Sequence, residues 1–505
     1  MKQGNDRGRG RHHTGRRNTP KHTGRPSKAE QLSFWQDLFP DVAAKDCPPA
    51  AGYRNNSSLN NAGNNGNYWS SSLNENNSNN ARNLNFNSSN HNMNNNNRYN
   101  GQSVRPVTAL TRTQLLADLY VAYRDARRHK RSRDYQLKFE MNLEENLCRL
   151  CDELMSRTYR PGISSAFIVY EPKQREVFAA EFRDRVVHHL YYNYTHPLFE
   201  RTFIQDTYSC IKGRGTHYGV DRLEKHIRQE SKNYTRPCYV LKMDIQGYFI
   251  NINRRRLLEI CLDTLSKMRR HQSDRDSKTW EEVLDYNFIE YLTEVIVMYN
   301  PLTEYRFRVP MTDWEGLPKN KSLFYAGEDC GLPIGNLTSQ LFSNVYLNRL
   351  DQYVKRELGC KHYGRYVDDF YIVSTDREHL TTLIPRIETF LKKELSLPLH
   401  HEKTKIYDAY NGIEFLGQYV LPYRRYISNR SLDRIKRGLD NISKYDVYDE
   451  KMLLSQLNSC LGVLGHTRSH RQLMILLKKH RWIFRFGCFG KDWHPFKLFQ
   501  EDSSC

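Results

Sequence analysis

The stretch "YGRYVDDFYIVS", residues 363–374, places two adjacent carboxylates inside a run that otherwise has the pattern of a buried β-strand. Side chains alternate between the two faces of a strand, so Asp368 and Asp369 can share one site only where the backbone turns between or beside them. An unpaired charge in apolar surroundings is costly unless a cation compensates it. The pattern therefore predicts a hairpin whose apex binds divalent cations, with magnesium as the first candidate.

The composition indicates an acidic partner. The chain of 505 residues has a formal net charge of +20 and a pI near 9.4, which is typical of proteins that bind nucleic acid or an anionic membrane face. No apolar run reaches membrane-spanning length, and the Arg-rich N-terminus lacks the apolar core of a secretory signal. We therefore expect a cytoplasmic protein that binds nucleic acid and has no membrane partner.

The cysteines indicate no metal site and no disulfide framework. The eleven cysteines have no regular spacing, which suits a reducing compartment. Cys148 and Cys151 form a CxxC pair, but they lie in a stretch with helical periodicity and no second Cys or His pair is nearby. We interpret them as residues of a helix face and assign them no chemistry.

The N-terminal fifth of the chain has the composition of a disordered segment. Residues 1–28 are a basic arm rich in Arg, Lys and Gly, and residues 55–100 are dominated by Asn with Ser and Gly. Such segments bury too little apolar surface to offset the entropy of ordering. We predict disorder over residues 1–104, as a spacer or as a tail that contacts RNA.

The rest of the chain mixes helical and strand patterns. Two helices are predicted within 110–159, followed by a hairpin that carries Lys173 and Arg175 near its turn. Further helices follow at 254–268 and after "GLPIGN". The strands "CYVLKMD", "YGRYV" and "FYIVS" are the expected centre of an antiparallel sheet, and the fold class is α+β.

A third carboxylate lies at the end of a predicted strand. Asp244 is the last residue of "CYVLKMD", and Asp368 and Asp369 lie at the predicted turn. Two-metal nucleotidyl transfer requires this set, because two Mg²⁺ ions about 4 Å apart must be held by hard oxygen ligands. A Tyr-x-Asp-Asp string alone is a weak signal, so the surrounding motifs decide its meaning.

Those motifs resemble the reverse transcriptase family, in the family's order, from about Tyr159 to the C-terminus. The upstream strings "FRDRVVHH" and "QDTYSCIKGRGTH" are similar to finger motifs of the bacterial, group II intron-like branch. The palm motifs are matched by "YVLKMDIQGYF", "GLPIGNLTSQLFSNVYLNRLD", "YGRYVDDF" and "LPLHHEKTKI", and the primer grip is matched by "IEFLGQ".

The resemblance implies a right-hand polymerase fold with fingers, palm and helical thumb behind the disordered tail. The implied domains are N-terminal helices and fingers over 105–235, a palm over 236–425 with an insertion at about 269–330 next to the fingers, and a thumb over 426–505. Two basic helical stretches in the last region suit a thumb that grips a duplex of cDNA and RNA.

The resemblance also implies roles for single residues. Asp244, Asp368 and Asp369 match the metal-binding acids, with the backbone carbonyl of Ile245 as an additional ligand. Phe249 matches an aromatic sugar gate that excludes the ribose 2′-hydroxyl.

Other matched residues would act on the incoming nucleotide. Lys173 and Arg175 match a finger-tip pair that neutralises the triphosphate. Lys403 matches the lysine placed to protonate the departing pyrophosphate, and Ile334 and Gly335 match residues that contact the nucleotide.

The second palm motif departs from most of the family. Gln-Gly is usual where this chain has Ile334-Gly335, and Ser-Pro is usual where it has Ser339-Gln340. "IGNLTSQ" is similar to the variant in reverse transcriptases of diversity-generating retroelements, which make error-prone cDNA and work with a small basic accessory protein. Loss of an amide at position 334 is a physical source of loose nucleotide selection.

Two other functions remain open at this point. A retron-like or phage-defence reverse transcriptase has the same fold and is distinguished by its neighbouring genes. A non-catalytic RNA-binding protein is suggested by the charge alone, but such a protein has no use for three clustered acids. The chain ends about 90 residues after "FLGQ", so we expect no maturase and endonuclease region and no ribonuclease H.

Overall fold

The computed structural model describes residues 66–73, 80–86, 91–97, 110–128, 133–170, 173–273, 278–444, 450–490 and 495–498. The chain divides into two compact units, Met1–Arg105 and Pro106–Cys505. The predicted limits of fingers, palm and thumb all fall inside the second unit, and they stay predictions.

The first unit contains a three-stranded antiparallel sheet, ordered β1 (Gly66–Leu73), β2 (Asn80–Phe86) and β3 (His91–Asn97). The prediction of disorder over residues 1–104 stays a prediction. Adjacent strands pair through backbone hydrogen bonds, which a polar sequence supplies as well as an apolar one. The basic arm at 1–28 lies outside the described residues.

The second unit begins with three helices and a small sheet. The helices are α1 (Arg112–Arg127), α2 (Asp134–Glu140) and α3 (Leu143–Met155). The Thr111 side chain caps α1 by accepting a hydrogen bond from the Gln114 N–H. The sheet has the order β5 (Arg175–Ala179), β4 (Ser164–Val169) and β7 (Tyr305–Phe307). The hairpin predicted to carry Lys173 and Arg175 is therefore β4–β5.

Helices surround the central sheet. They are α4 (Phe182–Glu200), α5 (Thr216–Glu230), α6 (Tyr248–Asn251), α7 (Arg254–Met268), α8 (Trp280–Val283), α9 (Tyr286–Met298), α10 (Leu337–Gln352) and α11 (Arg377–Leu395). Helix α10 contacts α4 and α7, and most of its side chains are buried. It is therefore a core helix, as its near-continuous burial requires.

The central sheet has the strand order β10 (Lys405–Asp408), β6 (Tyr239–Asp244), β9 (Asp369–Ser374) and β8 (Tyr363–Tyr366), with antiparallel neighbours throughout. Val240, Leu241 and Met243 of β6 are buried, so this strand has apolar contacts on both faces. The prediction of an α+β chain centred on this antiparallel sheet is confirmed.

The C-terminal part packs around its own apolar cluster. A sheet of β11 (Ile413–Phe415), β12 (Gln418–Leu421) and β13 (Arg424–Ile427) precedes α12 (Asn429–Ile442), α13 (Glu450–Leu461) and α14 (His470–Lys479). A final hairpin pairs β14 (Gly487–Phe489) with β15 (Phe496–Leu498). Buried leucines and isoleucines of the three helices meet in one cluster, which fixes the helices against one another.

Candidate active site

The two adjacent acids lie where the sequence pattern predicts a turn. Strand β8 ends at Tyr366, Val367 has a left-handed backbone with φ of 56°, and β9 begins at Asp369. Asp369 is opposite Asp244 in the register of β9 and β6. The turn between the strands therefore brings all three candidate acids to one end of the sheet.

Two lysines pair with these acids. The Lys403 Nζ lies 2.8 Å from Asp244 Oδ1, and the Lys242 Nζ lies 3.2 Å from Asp369 Oδ2. Lys403 belongs to a short 3-10 turn, His401–Lys403, that follows the bridge between Ile245 and Leu399. Lys242 lies on β6 two residues before Asp244, so its side chain is on the same face. The carboxylates thus have ammonium groups as their counter-charges.

Burial and mutual repulsion change the acidity of the turn. Burial, with the neighbouring Asp244 charge second, raises the pKa of Asp368 to about 6. Burial also raises the pKa of Asp369 to about 6, although the charge of Lys242 opposes the shift. The raised pKa values mean that burial outweighs the two neighbouring ammonium groups in its effect on the anionic forms. The pair therefore favours any ligand that supplies positive charge.

The carboxylate oxygens of the site are suitable ligands for a divalent cation, although they do not form a complete coordination shell. Within the part of the chain that the structure describes, no group of three or more His, Cys, Asp and Glu side chains is arranged to hold a metal. Asp369 Oδ1, however, is buried and has no hydrogen-bond partner among those residues. Such an oxygen needs a donor or a cation. Hard carboxylate oxygens are the ligands that Mg²⁺ prefers.

The residues that follow Asp244 have different environments. Ile245 is buried and bridges to Leu399, so only its backbone can serve the site. Phe249 lies in α6 and is half-buried, with its ring 5.3 Å from the Tyr248 ring. Gly247 precedes α6 with φ of 56°, and a Cβ there would lie 2.8 Å from the Asn320 carbonyl oxygen. This close approach turns the chain directly after the strand and leaves Phe249 outside the core.

The second palm motif contacts the fingers hairpin. The carbonyl of Ile334 accepts a hydrogen bond of 3.1 Å from the Phe178 N–H of β5. Gly335 has φ of 121°, and a Cβ there would lie 2.8 Å from Val177 Cγ1. Ile334 is half-buried and Gly335 is exposed. Glycine is required at 335 because both the backbone angle and the packing exclude a side chain.

Exposed cations gather near the fingers hairpin. The pKa of Lys173 is lowered by partial burial and, next, by the charges of Arg430, Lys403, Lys321 and Arg175. Arg175 lies on the hairpin, Lys321 in the segment before α10, Lys403 in the 3-10 turn before β10 and Arg430 at the start of α12. Because these cations repel one another, the cluster favours the binding of a multiply charged anion.

Three cations at the site were not assigned from the sequence. Lys242 could have been found by strand alternation, because it shares a face with Asp244. Lys321 and Arg430 carry no such signal, since both lie outside the motifs and come close to Lys173 only through the fold. Cys148 and Cys151 both lie on α3, with Cys151 buried and Cys148 partly buried.

Comparison with known proteins now decides the class of the domain. Residues 173–420, just under half of the chain, match the family model "Reverse transcriptase (RNA-dependent DNA polymerase)". This part of the chain is a reverse transcriptase domain. Its enzyme class is RNA-directed DNA polymerase, and its fold is the right-hand polymerase fold that the motifs imply.

One curated relative and several solved structures are similar to the chain. Protein YkfC of Escherichia coli (strain K12) is 25% identical over 311 residues, which is 54% of this chain and 71% of that protein. Apo telomerase from Candida tropicalis, truncated from its C-terminal domain, is 13% identical with a TM-score of 0.38 and covers 52% of this chain. Telomerase from Candida albicans with a TWJ fragment of telomeric RNA is 10% identical with a TM-score of 0.36 and covers 69%.

The chain spans only 55% and 61% of those two telomerase chains. Likeness this distant carries no argument about partners. In the described residues, no helix of the reverse transcriptase domain or its neighbours is both long enough and apolar enough to cross a membrane.

Proposed function

We propose that the whole chain is an RNA-directed DNA polymerase that copies a template RNA into cDNA. The observation that carries this proposal is the meeting of Asp244, Asp368, Asp369 and Lys403 at one end of the central sheet. A non-catalytic RNA-binding protein would have no reason to hold three acids together against their mutual repulsion.

The cations of the reaction are proposed to be two Mg²⁺ ions. Asp244, Asp368, Asp369 and the carbonyl of Ile245 would hold them, since these oxygens lie at the same end of the sheet. When bound, such ions lower the pKa of a primer 3′-hydroxyl and offset the charge of the triphosphate. Before the ions bind, Lys242 and Lys403 compensate the negative charge of the carboxylates, so the site keeps its shape.

The chain's own residues would place the incoming deoxynucleotide. Lys173 and Arg175 bind the β- and γ-phosphates, because exposed cations that repel one another gain most from an anion. Phe249 is half-buried on α6, five residues after Asp244, and its ring would collide with a ribose 2′-hydroxyl. Lys403 lies next to Asp244 and holds a proton for the departing pyrophosphate.

One face of the fingers sheet is suited to the template strand. Arg306 is opposite Ser165 in the β4–β7 pairing, and Phe167 is opposite Val177 in the β4–β5 pairing, so their side chains share a face. The Arg308 guanidinium lies 5.6 Å from the centroid of the Phe167 ring on that face. Val177 also packs against Gly335. Cations and a ring next to the nucleotide contacts suit the phosphates and bases of RNA.

The finer proposal is a polymerase of the diversity-generating kind that makes error-prone cDNA. It is supported by the string "IGNLTSQ", in which Ile334 supplies shape but no hydrogen bond to the nucleotide. A small basic accessory protein is the further partner, the template RNA and the cDNA/RNA duplex are the nucleic-acid ligands, and the cytoplasm of a bacterium is the location. A retron-like or phage-defence polymerase is the second candidate, and a template repeat with a variable repeat beside the gene separates the two.

A primer-extension assay tests the proposal. The full chain is given an RNA template, a DNA primer and Mg²⁺, with dNTPs or rNTPs in parallel reactions. We expect extension with dNTPs that EDTA abolishes. If the chain binds the primed RNA tightly but never extends it, with Mn²⁺ as well as with Mg²⁺, the polymerase proposal is wrong and an RNA-binding role takes its place.

A further inference from the structure

The residue before the two acids has an unusual backbone. Val367 has φ of 56°, in the left-handed region, and it lies between β8 and Asp368. A β-branched residue rarely adopts this conformation because its Cβ is close to the backbone carbonyl. Some contact must therefore hold Val367 there.

Both backbone groups of Val367 are held by buried side chains. The Arg365 Nη1 donates a hydrogen bond of 2.9 Å to the Val367 carbonyl. The Val367 N–H donates a hydrogen bond of 3.2 Å to Ser209 Oγ. Asn344 joins the two, because its Oδ1 accepts from Ser209 Oγ at 3.1 Å and from Arg365 Nη1 at 3.3 Å. The turn is thus fixed from both sides.

Arg365 is itself fixed by a buried ion pair. Arg365 and Asp351 have side chains that are 0% exposed, and they pair through two hydrogen bonds of 2.7 and 2.6 Å. Asp351 also accepts hydrogen bonds from the Tyr363 hydroxyl at 2.6 Å and from Thr207 Oγ1 at 3.0 Å. The guanidinium therefore has one orientation, in which its remaining nitrogen points at the Val367 carbonyl.

A buried ion pair is weak evidence for stability, because apolar residues of the same volume often stabilise a core equally well. A fixed orientation is what an apolar residue cannot provide. If Val367 left the left-handed region, the next peptide plane would rotate and Asp368 would point away from Asp244.

We propose that Arg365, held by Asp351, and Ser209 are positioning residues that keep Val367 left-handed and so aim Asp368 into the site. The inference deepens the proposed function and rests on it for the catalytic readout. Neither residue touches a nucleotide; both act through the turn.

The experiment compares Ser209→Ala with a matched control, Tyr208→Phe. Ser209→Ala removes the acceptor of the Val367 N–H. Tyr208→Phe removes a buried hydroxyl from the adjacent residue. This hydroxyl bonds Asp206 and Tyr371, and it does not contact Val367. Both losses have similar costs for unfolding, so a purely structural role would affect the two variants alike.

Two quantities are measured in each full-length variant: kcat for primer extension, and the affinity for Mn²⁺ by electron paramagnetic resonance. For Ser209→Ala we expect about tenfold losses in both, with KM for template-primer unchanged. Tyr208→Phe should stay within about twofold of the wild type in both, since the turn is intact. Equal effects of the two variants would overturn the proposal.

A second background makes the test independent of folding. Glycine adopts a left-handed backbone without penalty, so Val367→Gly should need less support from its neighbours. In that background Ser209→Ala should lower Mn²⁺ affinity by less than about threefold. The same loss in both backgrounds would show that Ser209 acts on something other than the turn.

The arms also separate this inference from the proposed function. A wild-type chain that extends no primer overturns the polymerase proposal. The Mn²⁺ affinities of the wild type and the four variants still decide whether the turn is positioned in this way.

Discussion

The turn at residues 367–369 (the palm turn) and the β4–β5 hairpin (the fingers hairpin) hold their charged residues differently, although the proposed function assigns both to the same reaction. In the palm turn the acids are mostly buried, Asp369 being 23% exposed, and the preceding residue is fixed by Arg365 and Ser209. In the fingers hairpin Lys173 and Arg175 are exposed and their charges repel one another. Buried hydrogen bonds hold the backbone in one region, and exposed cations repel one another in the other.

The difference indicates how the carboxylates and the hairpin cations would be used. Carboxylates that hold small cations must be placed to within a fraction of an ångström, because coordination distances vary little. A triphosphate is long and flexible, so cations that bind it can adapt to it. Buried hydrogen bonds suit the first task, and exposed side chains suit the second. The base of the hairpin is nevertheless anchored, since the buried Glu176 carboxylate accepts hydrogen bonds from Trp314, Ser322 and Leu323.

The largest expected effect is at the palm turn. Asp369→Asn should lower kcat for dNTP incorporation by about 10³-fold or more, because an amide cannot replace a carboxylate as a cation ligand. Affinity for primed RNA, measured by filter binding, should change little. Asp433→Asn, at an exposed acid of α12, is the control. Full extension by the Asp369 variant would refute the two-metal assignment.

Phe249 tests whether the half-exposed ring beside the acids selects the sugar. Phe249→Ala should reduce discrimination against ribonucleotides by about a hundredfold, because removal of the ring opens space for the 2′-hydroxyl. The ratio of kcat/KM for dNTP to that for rNTP measures the effect, with Phe307→Ala on the fingers sheet as the control. An active variant with an unchanged ratio would assign Phe249 to packing only.

The pH dependence sharpens the contrast because the two acids of the palm turn have raised pKa values. Burial raises the pKa of Asp368 and Asp369 to about 6, above the ordinary 3.8, so both are increasingly protonated as the pH falls below 6. Divalent cations require the ionised form. Mn²⁺ affinity should therefore be full above about pH 7 and fall by about tenfold per pH unit below 6 for each carboxyl that must lose its proton. An affinity that is constant between pH 5 and pH 7 would show that the acids are ionised throughout, in conflict with their burial.

A smaller change in activity is expected at the fingers hairpin. Lys173→Ala should raise KM for dNTP by about tenfold and leave kcat within a few-fold, since one of several cations around the triphosphate is lost. Lys267→Ala on α7 is the matched control, because that lysine pairs with Asp263 at a helix surface. A fall in kcat with KM unchanged would place Lys173 in the chemical step.

The smallest expected effect lies where the two regions meet, at Ile334. Ile334→Gln should lower misincorporation by about three- to tenfold, most clearly opposite template adenine, because an amide can hold the nucleotide in one pose. Sequencing of cDNA made by both forms on one RNA measures it, and Leu332→Met, a buried change two residues away, controls for packing. Identical error spectra from two active enzymes would mean that selectivity is set elsewhere.

Much of the site follows from the sequence by itself. Strand alternation forces a turn at Asp368 and Asp369, and the same rule puts Lys242 on the face of Asp244. The motif order and the +20 charge indicate a nucleotidyl transferase acting on nucleic acid. These are local or compositional properties, so a linear reading captures them.

Tertiary structure decided the rest. Composition reports burial but not backbone pairing, so it did not predict the strands β1–β3. Asp351 lies 14 residues before Arg365, and Ser209 lies 158 residues before Val367. Only folding shows that Arg365, held by Asp351, and Ser209 both bond the backbone of Val367. Arg430 and Lys321 join Lys173 in the same way. Contacts between distant residues depend on how elements pack, and no single-sequence pattern records that packing.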